Sequence, residues 1–135
     1  MIFIDTGAFI ARYIARDEHH AAATEAWEKL PTIGRRHYTS NFVLDETITL
    51  LGRWSDYAFA AERARHLYSS HALDILRPSQ EDEIEAIALF DKYADQEVSF
   101  TDCISFVLMR KHRLERAFAF DRHFRLAGFE TWPRR

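Results

Sequence analysis

Four acidic residues of this 135-residue chain stand where the surrounding sequence predicts a shared site. Two follow apolar runs that suit buried strands, and two lie in apolar helices: Asp5, Asp121, Glu46 and Asp102. Carboxylates that are packed together raise one another's pKa, so such a cluster is unfavourable at neutral pH without cations. Hard divalent ions that prefer oxygen ligands, Mg²⁺ or Mn²⁺, meet this requirement. One or two such ions can polarise a phosphodiester and activate water.

The N-terminal stretch carries the first of these acids. Three apolar residues, 2–4, run directly into Asp5, Thr6 and Gly7. A short apolar run that ends at a turn signal is typical of a buried parallel strand. The polar residues then lie at a strand-to-helix corner, which is where open α/β sheets bind their ligands. Asp and Thr are also common helix N-caps, so a purely structural corner is the alternative interpretation.

Two predicted helices carry acids at positions where an acid is costly. Glu46 lies in a helix over residues 41–53 that is apolar nearly all round, which indicates a buried helix. A carboxylate there requires a cation, a salt bridge or a partly exposed helix edge. Asp102 lies in the first turn of another apolar helix, which either Ser99 or Thr101 can cap.

Strand and helix patterns alternate along the whole chain. The predicted strands cover residues 2–4, 36–39, 73–76, 117–120 and 129–132, the last being an edge strand. The predicted helices cover residues 8–13, 17–30, 41–53, 57–70, 79–91 and 102–109, with a short turn at 122–125. We expect Pro31 and Gly34 to end the second helix. The alternation predicts an α/β fold with a parallel sheet, in which all strand C-termini share one edge and the four acids converge.

Length and composition indicate one globular domain over residues 1–135. No apolar run approaches the roughly 20 residues that cross a bilayer. Asp5 interrupts the N-terminal apolar run before a signal-peptide core could form, so we expect a cytoplasmic protein that does not bind membranes. Cys103 is the single cysteine, which excludes an intrachain disulfide and a thiolate metal cluster. No His or Cys has zinc-like spacing among the four acids, which argues against zinc.

The charge distribution is uneven. The net charge of −3 disfavours a general nucleic-acid binder. Residues 110–135 nevertheless contain eight Lys or Arg against three Asp or Glu, a net charge of +5, so the remaining chain carries −8. A basic segment beside an acidic body can hold phosphates near an acid cluster, although solvated helix faces explain the asymmetry equally well.

The order of these residues resembles a PIN-domain ribonuclease, and most of all the VapC-type toxins of toxin–antitoxin pairs. The resemblance rests on Asp5 with Thr6, Ser40 followed six residues later by Glu46, an acid at a helix start, and the run 120–124. It covers essentially the whole chain. It implies a Rossmann-like three-layer α/β/α sandwich with a central parallel sheet. It also implies Mg²⁺- or Mn²⁺-dependent cleavage of single-stranded RNA, a small antitoxin that binds the toxin, and a homodimer.

The resemblance also assigns roles by position. Asp5 and Asp102 would be the principal metal ligands, and Glu46 and Asp121 would complete the site directly or through water. The supporting polar residues would be Thr6, Ser40 and Thr101. The candidates for RNA phosphate contacts are Arg110, Lys111, Arg122 and Arg125. The sequence departs from the family pattern at Ala119, where such chains often carry Thr or Ser, and one hydroxyl contact near the site is thereby lost.

Other functions compete with this interpretation. A phosphatase of the haloacid-dehalogenase type needs Asp-x-Asp after its first strand, whereas Asp5 is followed by Thr6 and Gly7. A phosphoacceptor receiver domain needs paired acids at the first strand and a lysine near the last, and neither is present. The alternatives that stay open are a non-catalytic PIN-fold module that binds RNA or protein, and a PIN nuclease of RNA processing that is not a toxin.

Overall fold

A parallel sheet of five strands forms the centre of the structure, which is a computed structural model describing residues 1–134. The strands are β1 (Phe3–Ile4), β2 (His37–Ser40), β3 (Leu73–Leu76), β4 (Arg116–Phe118) and β5 (Glu130–Trp132). Their order across the sheet is β3-β2-β1-β4-β5, and every neighbouring pair is parallel. The predicted α/β fold is confirmed, with β5 at one edge.

Helices connect the strands, as parallel pairing requires. They are α1 (Thr6–Tyr13), α2 (His20–Ile33), α3 (Asn41–Trp54), α4 (Tyr57–Ser69), α5 (Gln80–Lys92), α6 (Phe100–Lys111) and α7 (His123–Leu126), with a 3₁₀ turn at Ala94–Gln96. Within residues 1–134 no helix has both the length and the apolar character that crossing a membrane requires. Arg135, the last of the basic residues counted above, lies outside the described part of the chain.

Helix α6 is the most buried helix of the core. Every residue from Asp102 to Met109 is buried, as the apolar sequence predicts. The ring of Phe106 packs edge-on against Phe124 with 5.2 Å between centroids, and a second contact of this kind joins Phe118 and Trp132 at 5.0 Å. Burial of such aromatic side chains is a principal source of folding free energy. The N-terminus of α6 is therefore held in a fixed position relative to the sheet.

The predicted end of the second helix is wrong at Pro31 and confirmed at Gly34, which is the C-cap of this helix. Helix α2 continues through Pro31 to Ile33, and it begins at His20 rather than at residue 17. Proline removes one backbone hydrogen bond from a helix, but α2 buries Ala26 and Leu30 and packs Ile33 against the core, which outweighs that loss near the helix end.

The expectation that helix α3 is buried nearly all round is also wrong. Its buried residues include Val43, Leu44 and Leu51, whereas Asp45 and Thr49 are exposed. Helices α1, α4 and α6 pack on α3 and leave one side of it in solvent. The apolar run in the sequence thus overstates burial because half-buried positions also accept apolar residues.

The hydroxyl of Ser40 caps helix α3 by accepting a hydrogen bond from the backbone N–H of Val43 at 3.1 Å. We expect Ser40→Ala to lower the free energy of unfolding by about 1 kcal/mol, since it removes the partner of that amide in a fully buried position. Urea denaturation measures the change. Ser69→Ala is the control, because the exposed hydroxyl of Ser69 donates only to the carbonyl of His66 in the same helix. Its removal should change the free energy of unfolding by no more than about 0.5 kcal/mol. Equal losses in the two variants would contradict the capping role.

Candidate active site

Asp5 lies directly after β1, in the middle of the sheet. Its backbone N–H donates to the carbonyl of Phe118 on β4 at 3.0 Å, and its own carbonyl accepts from Ala8 at the start of α1 at 3.1 Å. These bonds fix the backbone on both sides of the residue. The side chain is only 3% exposed. The sequence prediction that an acid stands at the carboxyl end of the first strand is thereby confirmed.

Asp102 is held at the same edge by the first turn of α6. Ser99, not Thr101, caps this helix: its hydroxyl accepts from the N–H of Asp102 at 3.0 Å. The carbonyl of Thr101 accepts the hydroxyl of Ser105. Asp102 is 7% exposed. The backbone of Asp102 is therefore fixed, and its carboxylate has little contact with solvent.

Asp121 lies in the loop after β4, three residues beyond the end of that strand, whereas the sequence predicts it directly after a strand over residues 117–120. Strand β4 ends at Phe118, so Asp121 is exposed rather than placed directly at a strand terminus. Its carboxylate accepts from the backbone N–H of His123 at 3.0 Å, which forms a local turn. This turn brings the His123 ring to the site, where Nδ1 lies 3.0 Å from Oδ2 of Asp102.

His123 is the residue that the sequence reasoning missed. Asp102, Asp121 and His123 each offer one ligand atom, and these atoms lie within 4.8 Å of one another. The signal available in the sequence was its position two residues after an aspartate, since Asp side chains commonly bond the backbone two residues on. The sequence argument against zinc considered only spacing along the chain, whereas His123 reaches Asp102 through this turn.

Glu46 projects from the half-exposed side of α3. Within residues 1–134 its carboxylate forms no hydrogen bond or salt bridge, so the salt bridge considered above is not the reason for its position. Its charge contributes to raising the pKa of both Asp5 and Asp102, which places it in the same electrostatic environment. The charges of the four predicted acids thus influence one another, whereas the ligand atoms that lie within 4.8 Å of one another belong to Asp102, Asp121 and His123, without Asp5 or Glu46.

The electrostatics of the buried pair are unfavourable for ionisation. Burial, followed by the charges of Asp102 and Asp121, raises the pKa of Asp5 well above its ordinary value. Burial and the charge of Asp121 raise the pKa of Asp102 to about 6, although the hydrogen bond from His123 opposes this effect. Burial also raises the pKa of Cys103 to about 11, so this thiol stays protonated and is a poor metal ligand.

The residues at this edge fit a divalent cation. Two ligand atoms that bind one ion at about 2.1 Å lie at most about 4.2 Å apart, so small side-chain rotations bring the three ligand atoms described above within range. Two buried oxygens at helix starts on this edge, Thr6 Oγ1 and Asn41 Oδ1, have no hydrogen-bond partner within residues 1–134. Buried polar atoms without a partner are costly, and a hydrated ion or a substrate would supply partners. Oxygen and imidazole donors are what such ions accept.

The basic candidates are not all near the acids. Arg122 adjoins Asp121 and donates to Gln96, and Arg125 donates to Thr131, both on the surface. Arg110 lies eight residues along α6 from Asp102, about 12 Å by helix geometry, and donates to the carbonyl of Ala127. Lys111 forms a salt bridge with Asp82 at 2.9 Å. The structure therefore brings Arg122 to the site and places Arg110 and Lys111 towards the far end of α6.

Ser40 was predicted to be a supporting polar residue of the site. Its hydroxyl caps α3 by accepting from the backbone N–H of Val43.

Comparison with known proteins agrees with this geometry. The chain matches the PIN domain family over residues 2–130. The 23S rRNA-specific endonuclease VapC20 of Mycobacterium tuberculosis is 36% identical over 129 residues, which cover 96% of this chain and 95% of that protein.

Solved structures give the same result. The crystal structure of M. tuberculosis VapC20, described as a sarcin–ricin loop cleaving toxin, superimposes with a TM-score of 0.86 at 33% identity and covers 96% of each chain. A toxin–antitoxin complex from Klebsiella pneumoniae has a TM-score of 0.59 at 17% identity, covering 90% of this chain and 88% of that one, and shows the fold alone. The resemblance inferred from the sequence is confirmed: the chain belongs to the PIN domain family and is a homologue of the VapC-type endonuclease toxins.

Proposed function

We propose that this chain is a Mg²⁺- or Mn²⁺-dependent endoribonuclease that acts as the toxin of a toxin–antitoxin pair. The observation that carries the proposal is the convergence of four carboxylates at one sheet edge, with the pKa of both buried members raised. A fold gains no stability from such an arrangement, because ionised groups that are buried near like charges are costly. A divalent cation offsets this cost and gives the cluster a function.

The proposed roles of the acidic side chains follow from how deeply each of them is buried. Asp5 and Asp102, whose backbones are fixed, would hold the cation, and the more exposed Glu46 and Asp121 would complete its surroundings directly or through water. A cation held there supplies Lewis acidity, which activates water and neutralises charge that develops on a phosphodiester. The hydroxyl of Thr6, buried beside Asp5, would orient water or a phosphate oxygen at the base of the site.

The proposed substrate is 23S rRNA, cut in its sarcin–ricin loop. This assignment rests on the names of VapC20 and on similarity along nearly the full length of both chains. Arg122, which adjoins Asp121, and Arg125, which lies on the surface beside Thr131, would contact RNA phosphates, which positions a strand without reading its bases. Arg110 is not among the contacts that we propose, since its guanidinium is engaged at the other end of α6.

The proposed partners are a small antitoxin and a second copy of the chain. Helix α5 exposes Ile84, Ile87 and Phe90, and the end of α3 and the start of α4 expose Trp54 and Tyr57. Exposed apolar side chains that are grouped in this way are typical of surfaces that partner proteins cover. We further propose that the chain works as one domain over residues 1–135 and acts in the cytoplasm, where ribosomes are its substrate.

We expect purified protein to cleave labelled single-stranded RNA with Mn²⁺ or Mg²⁺ and not with EDTA. Asp5→Asn and Glu46→Gln should each lower the rate about 100-fold or more, because each removes charge that holds the cation. Asp45→Asn is a matched control: it removes an adjacent acid of α3 that is exposed to solvent, and it should keep the rate within about twofold. Cleavage that persists in EDTA or in Asp5→Asn would contradict the proposal. Tight RNA binding without cleavage would favour the non-catalytic module.

The substrate assignment predicts a single cut in the sarcin–ricin loop of intact bacterial ribosomes. Primer extension across 23S rRNA measures it, with Asp102→Asn protein as the negative control. A stop inside this loop that requires added Mn²⁺ or Mg²⁺ would support the assignment. Metal-dependent cleavage of other RNA, while the sarcin–ricin loop stays intact, would contradict the substrate assignment but not the proposal that the chain is a nuclease.

We expect Asp102→Asn to stabilise the metal-free protein at pH 7 while it abolishes activity. The folded state holds the Asp102 proton more tightly than the unfolded state does, so the wild type loses stability as pH rises from 3.8, the ordinary pKa of an aspartate, through about 6. A pKa raised to this extent corresponds to roughly 1 to 3 kcal/mol at pH 7. The gain in free energy of unfolding of Asp102→Asn over the wild type should therefore be near zero at pH 4 and reach its full value above pH 6 to 7. Urea denaturation across this range measures it.

Added cation provides the internal control for this measurement. A saturating concentration of Mn²⁺ should stabilise the wild type by about 2.7 kcal/mol at one hundred times the dissociation constant, and it should leave Asp102→Asn unchanged. Asp45→Asn should follow the wild type under both conditions. A variant that is less stable than the wild type without metal at pH 7 would refute the electrostatic account of the buried acids.

A further inference from the structure

We propose that Nδ1 of His123 is a direct ligand of the bound cation and that this nitrogen donor makes the centre favour first-row transition ions over Mg²⁺. The inference rests on the proposed function, because it concerns the same cation. It adds a fifth residue to the four acids and chooses between the two kinds of ion that the acids alone admit.

The position of the imidazole is the first support. His123 Nδ1 lies 3.0 Å from Oδ2 of Asp102. Two neighbouring ligands of an octahedral ion, each about 2.1 Å from it and at right angles, are also separated by about 3.0 Å. The two atoms thus already have the separation of adjacent ligands, and a cation can replace the proton that joins them.

The rigidity of the ring is the second support. The backbone N–H of His123 is bonded to the carboxylate of Asp121, so one residue contacts one acid through its backbone and another through its ring. The next residue, Phe124, is fully buried and packs against Phe106 of α6. Short helix α7 is thereby anchored to the helix that carries Asp102. A ligand held in this way loses little conformational entropy when it binds an ion.

The chemistry of the donor set decides which ion is favoured. Carboxylates alone suit Mg²⁺ and Mn²⁺, both of which take oxygen ligands. Imidazole is a good ligand for first-row transition ions, and affinity along that series rises from Mn²⁺ towards Co²⁺ and Ni²⁺. Mg²⁺ binds nitrogen poorly and retains its waters. A mixed set of Asp102, Asp121 and His123 therefore favours Mn²⁺ and Co²⁺ over Mg²⁺.

Another histidine close to the site does not share this geometry. The ring of His19 stacks on Phe120 with 4.8 Å between centroids and 6° between planes, and its Nε2 faces Glu18 at 3.4 Å. Its nitrogens belong to no ligand group within residues 1–134. His19→Asn is thus the control for changes that come only from removing an imidazole near the acids.

His123→Asn is the test variant, because the amide oxygen of asparagine occupies the place of Nδ1 and replaces a nitrogen donor by an oxygen donor. We would measure Mn²⁺ and Mg²⁺ affinity by the EPR signal of free Mn²⁺ and by competition. Pulsed EPR of bound Mn²⁺ would detect nitrogen, with histidine-specific ¹⁵N labelling to identify its source. We expect histidine nitrogen coupling in the wild type and in His19→Asn, and none in His123→Asn. The preference for Mn²⁺ over Mg²⁺ should fall about tenfold in His123→Asn.

The outcomes separate this inference from the proposed function. Mn²⁺ that binds the wild type without histidine nitrogen coupling, or with a preference over Mg²⁺ that His123→Asn leaves unchanged, would overturn the inference. In that case loss of Mn²⁺ binding in Asp102→Asn would still support the carboxylate centre. Failure of the wild type to bind either ion would overturn the metal centre and the proposed function together.

Discussion

The arrangement on which the rest of the structure depends is the packing of like-charged carboxylates at one edge of a parallel sheet. Parallel pairing directs every strand C-terminus to this edge, and the strand order makes β1 and β4 neighbours in its middle. Asp5 after β1 and the loop that carries Asp121 after β4 are therefore adjacent. The N-terminal half of α3 and the first turn of α6 bring Glu46 and Asp102 to the same place. Topology alone gathers charges that would repel one another in solution.

Packing elsewhere must hold these charges together. The most buried helix, α6, carries one of the two buried acids, and its position is fixed by aromatic contacts of Phe106 with Phe124 and Phe129. The same contacts hold α7, whose first residue bonds both Asp121 and Asp102. Apolar burial thus constrains the site directly, because buried Phe124 packs against Phe106 and is the neighbour of His123, which contacts both acids. Relaxation of the acids away from one another would require this aromatic cluster to separate.

The sequence was sufficient to predict the alternating elements and the α/β fold, because both depend on local periodicity and on one topological rule. It was insufficient where a tertiary contact outweighs a local preference, as when packing continues α2 through Pro31. It left the cap of α6 open between two hydroxyls, and only the folded backbone selects Ser99. Arg110 lies about two helical turns from Asp102 on the same helix. Counting the basic residues of the C-terminal segment does not show this separation. His123 lies in the run 120–124 that carries the resemblance, but only the folded turn shows that its ring nitrogen contacts Asp102.

The division between buried and exposed acids has a consequence for how a substrate reaches the site. Asp5 and Asp102 lie at its base, where desolvation strengthens every interaction with a cation. Asp121 is exposed and adjoins Arg122, so under the proposed function a phosphate that approaches from solvent would meet a guanidinium beside an acid that can still be hydrated. Arg122 also donates to Gln96, in the segment that leads into α6. Under the proposed function, contact with a phosphate there would therefore act on the turn that holds Asp121 and on the segment before the helix that holds Asp102, and it would couple substrate binding to the geometry of the acids.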